Sequence, residues 1–271
     1  MENRKLLEEI ATLVYENCGI VFKDSNLSVL ESRISVKLRE KKTTIENYYN
    51  ILKTDREELS SFIDFVTTNF TSFFRSENQF HIIEEILLPE IVKQTRNEKV
   101  IRLWSAGCST GEEPYSMAMI VDDFLDKNGF YKLGWDFFVV ASDISLQSLF
   151  VAREGKFPES SVKKVPKSFV EKYFNFVDDK YIIKDILKKK VRFDFHNLIY
   201  DNGIRNIDIT FCRNVLIYFD EKTQKQVLEN IYIASNEKSY LFLGHSESLF
   251  GIYDKFKPVS CPKGIVYVKS V

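Results

Sequence analysis

The chain has 271 residues, 44% of them hydrophobic, which suits packed cores in two domains. Its 38 basic and 39 acidic side chains nearly cancel, so overall charge argues against wholesale nucleic-acid binding and leaves any electrostatic recognition to a local patch. Cys18, Cys108, Cys212 and Cys261 form no C-x-x-C pair, and His81, His196 and His245 are scattered, which argues against zinc and for reduced thiols in a cytoplasmic protein. A charged N-terminus and the lack of an apolar run near ~20 residues predict neither a signal peptide nor a membrane span.

Residues 1–66 read as entirely helical: they lack Pro, and their one Gly, Gly19, falls where a first helix can end. Leu6, Ile10, Leu13 and Val14 mark that helix's apolar face. A second helix spans about Asn26 to Lys42, with Leu27, Leu30, Ile34 and Leu38 as its stripe. Beside the stripe runs a basic ridge, Arg33, Lys37 and Lys41 at i, i+4 spacing with Arg39 and Lys42. It is either a solvated face or a docking surface for an acidic partner. The segment Thr67 to Arg75, TTNFTSFFR, interleaves Asn69, Thr71 and Arg75 with three phenylalanines, and is expected to join the domains at an interdomain seam or at a cofactor pocket. A helix from about Asn78 to Lys93 and a polar connection, Thr95 to Lys99, follow.

Ile101 to Ala118, IRLWSAGCSTGEEPYSMA, is the stretch on which the rest is organised: a strand, a glycine loop and a helix, with Pro114 expected at the first helical position and Glu113 at or beside the cap. The loop has neither G-x-x-x-x-G-K-[ST] nor G-x-G-x-x-G spacing. Two carboxylates, Glu112 and Glu113, would repel a pyrophosphate but suit a cofactor carrying hydroxyls and cationic groups. S-adenosylmethionine has both; the other reading of this stretch alone is an ordinary turn with solvated glutamates.

Phe137 to Ser142 is a continuous apolar run, as in a strand buried on both faces, and ends in Asp143, placed either to bind ribose hydroxyls or to cap the helix Leu146 to Glu154. Residues 155–190, with Pro158, Pro166 and several lysines, interrupt the alternation and read as an inserted subdomain with a strand at Tyr181 to Ile183. Strands follow at Val191 to Phe195, Ile207 to Cys212 and Tyr240 to Gly244, with a helix at Glu221 to Ala234 and a closing antiparallel strand at Ile265 to Val268. Glu113, Asp143, Asn197 and Asn214 thus sit at successive strand ends, which share one edge of an open parallel sheet and converge on one crevice.

The segments TTNFTSFFR (67–75), WSAGCSTGEEPYSMA (104–118), ASDIS (141–145), FCRNVLIYFD (211–220) and GHSE (244–247) closely resemble, in order, those of the CheR family of chemoreceptor glutamate O-methyltransferases. The resemblance implies an α/β fold: a Rossmann-like class I S-adenosylmethionine-dependent methyltransferase domain at 69–271, a small all-α N-terminal domain at 1–68 and a small β-subdomain inserted at 155–190. It also implies cofactor contacts at Asn69, Thr71, Arg75, Glu113, Asp143, Asn197, Leu198, Asn214 and Val215, and places Tyr218 near the reacting methyl group. Arg75, suited to bind the carboxylate of cofactor or substrate, and Tyr218 are the expected catalytic residues, while the basic ridge, local in a chain of net charge -1, makes Arg33, Lys37 and Arg39 the expected substrate-docking residues. The implied partners are methyl-accepting chemotaxis proteins, met by a monomer without membrane insertion, and the implied product is S-adenosylhomocysteine. Gly107 and Cys108 stand where relatives often have alanines, and the insert matches least well. A nicotinamide dehydrogenase lacks support because the glycine fingerprint is missing, and Arg75 with Tyr218 argues against a non-catalytic cofactor sensor.

Overall fold

The apolar stripes of the first third wind into four helices in a computed structural model that describes residues 2–22, 26–67, 70–94 and 98–270. Asn69 and most of the polar connection after Lys93 lie outside the described residues. Helix α1 (Glu2–Cys18) buries Leu7, Ile10, Val14 and Cys18, a face rotated by one residue from the expected one, and ends at Gly19 with φ +74°. Helix α2 (Leu27–Lys41) buries Leu30 and Ile34 and closes on Lys42 in the left-handed region. Thr44 caps α3 (Ile45–Thr54) by accepting from the Asn47 N–H, and Asp55, the single residue between α3 and α4 (Arg56–Val66), caps α4 by accepting from the Glu57 and Glu58 N–H groups.

The next expected helix is interrupted. Helix α5 (Glu77–Ile82) runs into a π turn, Ile83–Leu87, and then α6 (Leu88–Lys93). Pro89 is the physical reason: it has no N–H to donate to residue 85 and its ring would press on that carbonyl, and the wider turn absorbs both.

Strand β1 (Val100–Ala106), helix α7 (Glu112–Lys127), β2 (Asp136–Asp143) and α8 (Leu146–Glu154) open the α/β unit. The insert follows as β3 (Lys156–Pro158), α9 (Glu159–Val162), α10 (Lys167–Tyr173), β4 (Phe174–Val177), β5 (Lys180–Ile183) and α11 (Asp185–Lys188), whose strands form a separate antiparallel sheet in the order β3-β5-β4. Then come β6 (Val191–Phe195), β7 (Ile207–Cys212), α12 (Glu221–Ala234), β8 (Ser235–Leu243), β9 (Phe256–Cys261) and β10 (Gly264–Lys269). The main sheet has the order β6-β2-β1-β7-β8-β10-β9, parallel from β6 through β8 and antiparallel at β10 and β9. Strand β9 was not expected, since FKPVSC carries a Pro and is mostly exposed, as an edge strand can be.

Alternate side chains of the sheet feed two cores. Ile101, Leu103, Phe137, Val139, Ile209, Phe211 and Phe242 pack with α5, α6, α7 and the insert. Trp104, Ala106, Val140, Cys212, Leu241 and Leu243 pack with α12 and with the buried faces of α1 to α4. The N-terminal helices therefore share a core with the sheet. Among the described residues no helix is long and apolar enough to cross a membrane.

Candidate active site

Strand order reverses between β1 and β7, so their carboxyl ends part and leave a crevice, the usual ligand position of an open α/β sheet. A cleft of about 400 Å³ lies there, large enough for a drug-sized ligand. Gly107, Ser109 and Glu113 line it from β1 and α7, Asp143 from β2, His196 to Leu198 from beyond β6, and Arg213 to Val215 with Tyr218 from beyond β7. The facing wall carries Ile20 to Phe22, Val29, Val66, Phe70, Thr71 and Arg75. Each of the expected cofactor and catalytic residues that the structure describes is on this cleft; Asn69 alone falls outside the described residues.

The loop after β1 approaches the turn after β7 so closely that a Cβ at Gly107, where φ is +86°, would stand 2.5 Å from Val215 Cγ2. Helix α7 then starts two residues earlier than expected: Gly111, at φ +95°, is its cap, Glu112 and Glu113 lie in its first turn, and Pro114 is the third helical residue. Only Glu113 reaches the cleft. Glu112 is buried beneath the loop, accepts from Thr110 Oγ1 and is pushed up by burial.

Glu113 is held from within. Its Oε1 accepts from Ser105 Oγ at 2.7 Å, and its Oε2 pairs with Arg213 Nε at 2.9 Å, with side chains only 9% and 2% exposed. Arg213 Nη1 donates to the Arg75 carbonyl at 2.6 Å and to Gln79 Oε1 at 2.8 Å, while Gln79 Nε2 donates to the Leu243 carbonyl. Burial outweighs Glu113's charge and holds the guanidinium below its ordinary range. Arg213 and Gln79 were not foreseen as site residues; the available signal was a cation directly after an apolar strand and beside Asn214.

Asp143 accepts from the Ser109 N–H at 2.7 Å and the Ser145 N–H at 2.9 Å. Ser145, not Asp143, caps α8, its Oγ accepting from the Ser148 N–H. Burial pushes the Asp143 carboxyl up against those backbone donors, and the Asp64 charge adds to the rise. Asp64, on α4, accepts from Ser145 Oγ and the Gln147 N–H, tying the N-terminal helices to the rim of the Asp143 loop. Asn197 serves the same junction: its Nδ2 donates to the Asn17 carbonyl at 2.8 Å and its Oδ1 accepts from Ile199 N–H. His196 Nε2 donates to the Tyr200 carbonyl at 2.8 Å, and burial lowers its pKa, so the ring is neutral. Arg75 Nη1 donates to the Phe70 carbonyl and its guanidinium lies 5.5 Å from the centre of the Phe70 ring.

On α2, Val29, Arg33 and Lys37 follow at i, i+4 and i+8, so the basic ridge leads away from the cleft along one face. Arg33 and Lys37 both lie over the Phe65 ring, at 5.0 and 4.8 Å, and Lys37, 15% exposed, also pairs with Glu40 at 3.3 Å. Arg39 is exposed and donates from Nε to the Ser35 carbonyl.

Residues 69–265 match the family model described as CheR methyltransferase, SAM binding domain, and residues 5–67 match CheR methyltransferase, all-alpha domain. The chain belongs to the CheR methyltransferase family. A chemotaxis protein methyltransferase of Borreliella burgdorferi is 37% identical to it, over 90% of this chain and 88% of that protein. One of Vibrio anguillarum is 34% identical, over 96% and 94%, and chemotaxis protein methyltransferase 1 of Pseudomonas aeruginosa is 32% identical, over 93% of each.

The cleft fits the cofactor of a CheR methyltransferase. Ser109 Oγ is buried on its wall with no hydrogen-bond partner among the described residues, beside the Asp143 carboxylate, and both are suited to polar groups of S-adenosylmethionine. Ser109 and Asn214 hold φ of +49° and +59°, left-handed values that non-glycine residues adopt at a cost and that concentrate at functional sites.

Proposed function

We propose that this protein is a protein-glutamate O-methyltransferase that esterifies side-chain carboxylates of glutamates in the cytoplasmic helices of chemoreceptors, as part of sensory adaptation in chemotaxis. When bound, S-adenosylmethionine supplies the electrophilic methyl group and is left as S-adenosylhomocysteine. Asp143, Ser109, Asn214 and Val215 are suited to hold it, with Asn69, Thr71, Asn197 and Leu198 completing the set that the family resemblance assigns.

The observation that carries the choice of acceptor is that the cleft's candidate bases are already occupied. Glu113 is paired to Arg213, Asp143 accepts two backbone N–H groups, and the neutral His196 ring donates Nε2–H to a carbonyl while its basic Nδ1 faces Ser142 Oγ at 3.5 Å. Burial also pushes the Cys18 thiol up to about 12, far from thiolate at neutral pH. A glutamate carboxylate, with a reference pKa of ~4.3, is anionic without a base. What remains for the protein is alignment, an effect with a ceiling of roughly 7 to 11 kcal/mol. Arg75 is suited to orient a carboxylate and Tyr218 to position the acceptor from the same cleft.

The test is methyl transfer from labelled S-adenosylmethionine to receptor-containing membranes. The expected label is released as methanol in mild base and disappears when the acceptor Glu is replaced by Gln. Base-stable labelling would contradict the assignment and favour an N-methyltransferase.

A further inference from the structure

The GHSE motif at 244–247 does not line the cleft, yet its last residue reaches the turn that does. Glu247 Oε2 accepts from the backbone N–H groups of Asn214 at 2.7 Å and Gly244 at 2.6 Å, and Oε1 from Val215 at 2.9 Å and Ile217 at 3.3 Å. Asn214 is left-handed and Val215 right-handed helical, and successive amides in such a pair converge into an anion-binding nest. Here the nest is filled by a carboxylate of the same chain. Gly244 is required by the approach: a Cβ there would lie 2.7 Å from both Glu247 Oε2 and Asn214 Nδ2, and 2.9 Å from Asn214 N.

We propose that Glu247 is a positioning residue that sets the 214–218 turn, so that Asn214 and Val215 meet the cofactor and Tyr218 meets the acceptor. One carboxylate fixes three of the turn's amides without itself lining the cleft. The inference rests on the reading of this cleft as a methyltransferase site, and it extends that reading to a residue remote from the reacting groups. Glutamine in its place keeps the size and one acceptor oxygen but turns an N–H donor toward amides that are themselves donors, so one side of the brace opens.

The decisive experiment is Glu247→Gln, alone and combined with Tyr218→Phe, with His245→Ala, an exposed neighbour in the same motif, as control. Glu247→Gln should lower kcat about 100-fold, the scale of a small misplacement of reacting groups. It should also weaken S-adenosylmethionine binding, read by calorimetry, by about tenfold or more, as loss of a residue that supports direct ligands does. In that background Tyr218→Phe should cost less than about twofold more, because residues that act as a unit are not additive. His245→Ala should behave as wild type. Unchanged cofactor affinity in Glu247→Gln, or a full additive Tyr218→Phe penalty, would overturn the proposal. If circular dichroism shows the variant unfolded, amide exchange in the wild-type protein decides: Asn214 and Val215 must be protected, and rapid exchange there overturns it. Calorimetry and exchange need no receptor, so the brace can stand even where receptor methylation is not found, and the two readings fail separately.

Discussion

Burial raises the Asp143 carboxyl above the aspartate range although Ser109 and Ser145 donate to it, because two backbone bonds do not replace a full water shell and Asp64 adds a like charge nearby. A cofactor hydroxyl is held best by the ionised form, so affinity for S-adenosylmethionine should fall as the pH is lowered through this raised pKa, at a pH above that of an ordinary aspartate. Asp143→Ala should abolish that dependence and weaken binding about ten- to a hundredfold or more, since each hydrogen bond to an ionised acceptor contributes roughly 1.5 to 3 kcal/mol. Calorimetry across the pH range checks both; a pH-independent wild type would remove Asp143 from the cofactor site. Glu113 calls for a different expectation. Its carboxylate balances a buried guanidinium, and Glu113→Gln should cost about 3 to 5 kcal/mol in urea unfolding by leaving Arg213 without a counter-charge. A loss under about 1 kcal/mol would mean that Gln79 and the Arg75 carbonyl suffice. Asp143 was legible because an acid that closes a buried apolar run stands at a strand's carboxyl end, where a ligand or a helix start must supply its donors. The Arg213 partnership was not, because it joins residues 100 positions apart and nothing in either local pattern names the other.

Helix α2 shows how far an element can be read from periodicity. Its bounds and the buried Leu30 and Ile34 follow from the stripe, but the state of each cation does not. Lys37 is committed to Glu40 and Phe65, and Arg33 shares the Phe65 ring, whereas Arg39 stands in solvent. Reversing Arg33, Lys37 and Arg39 together should raise the apparent KM for receptor and blunt its salt dependence, with kcat little changed. The structure divides the effect: Arg39→Glu should act on KM alone, while Lys37→Glu should also lower thermal stability by disturbing the contact of α2 with α4. Receptor methylation at low and high salt, beside thermal melts, checks this; kinetics indifferent to the triple reversal would leave the ridge a solvated face. Elsewhere the local pattern misled for definable reasons. A proline sat inside an otherwise helical run and was met by a π turn, a glycine rather than a glutamate capped α7, and an exposed strand with a proline gave no apolar signal.

A small helical domain preceding a methyltransferase domain suggests two bodies joined by a linker, but their polar and apolar contacts make one. The described face of α1 to α4 belongs to the same buried cluster as Trp104, Val140, Leu216 and Phe219 of the α/β unit. The chain after Gly19 pairs with the turn after β7 through the Ile20–Phe219 bridge and a hydrogen bond from the Val21 N–H to the Tyr218 carbonyl at 2.9 Å. Tyr15 donates to Asp220 at 3.0 Å, Asn197 to the Asn17 carbonyl, and Ser145 to Asp64. Ile20 to Phe22, Val29 and Val66 also form one wall of the cleft at the sheet's carboxyl edge, so the N-terminal part of the chain shapes that cleft as well as covering the sheet. Such long-range pairings leave no trace in hydrophobic periodicity, which is why the order of elements was readable and their shared core was not. Residues 69–271 expressed alone should therefore bind S-adenosylmethionine at least about tenfold more weakly than the full chain. They should also associate, since each large apolar side chain uncovered costs about 1.5 to 3 kcal/mol. Light scattering and calorimetry on the shortened and full chains decide the matter. A monodisperse fragment with undiminished cofactor affinity would show that the N-terminal helices are not needed to complete the cleft.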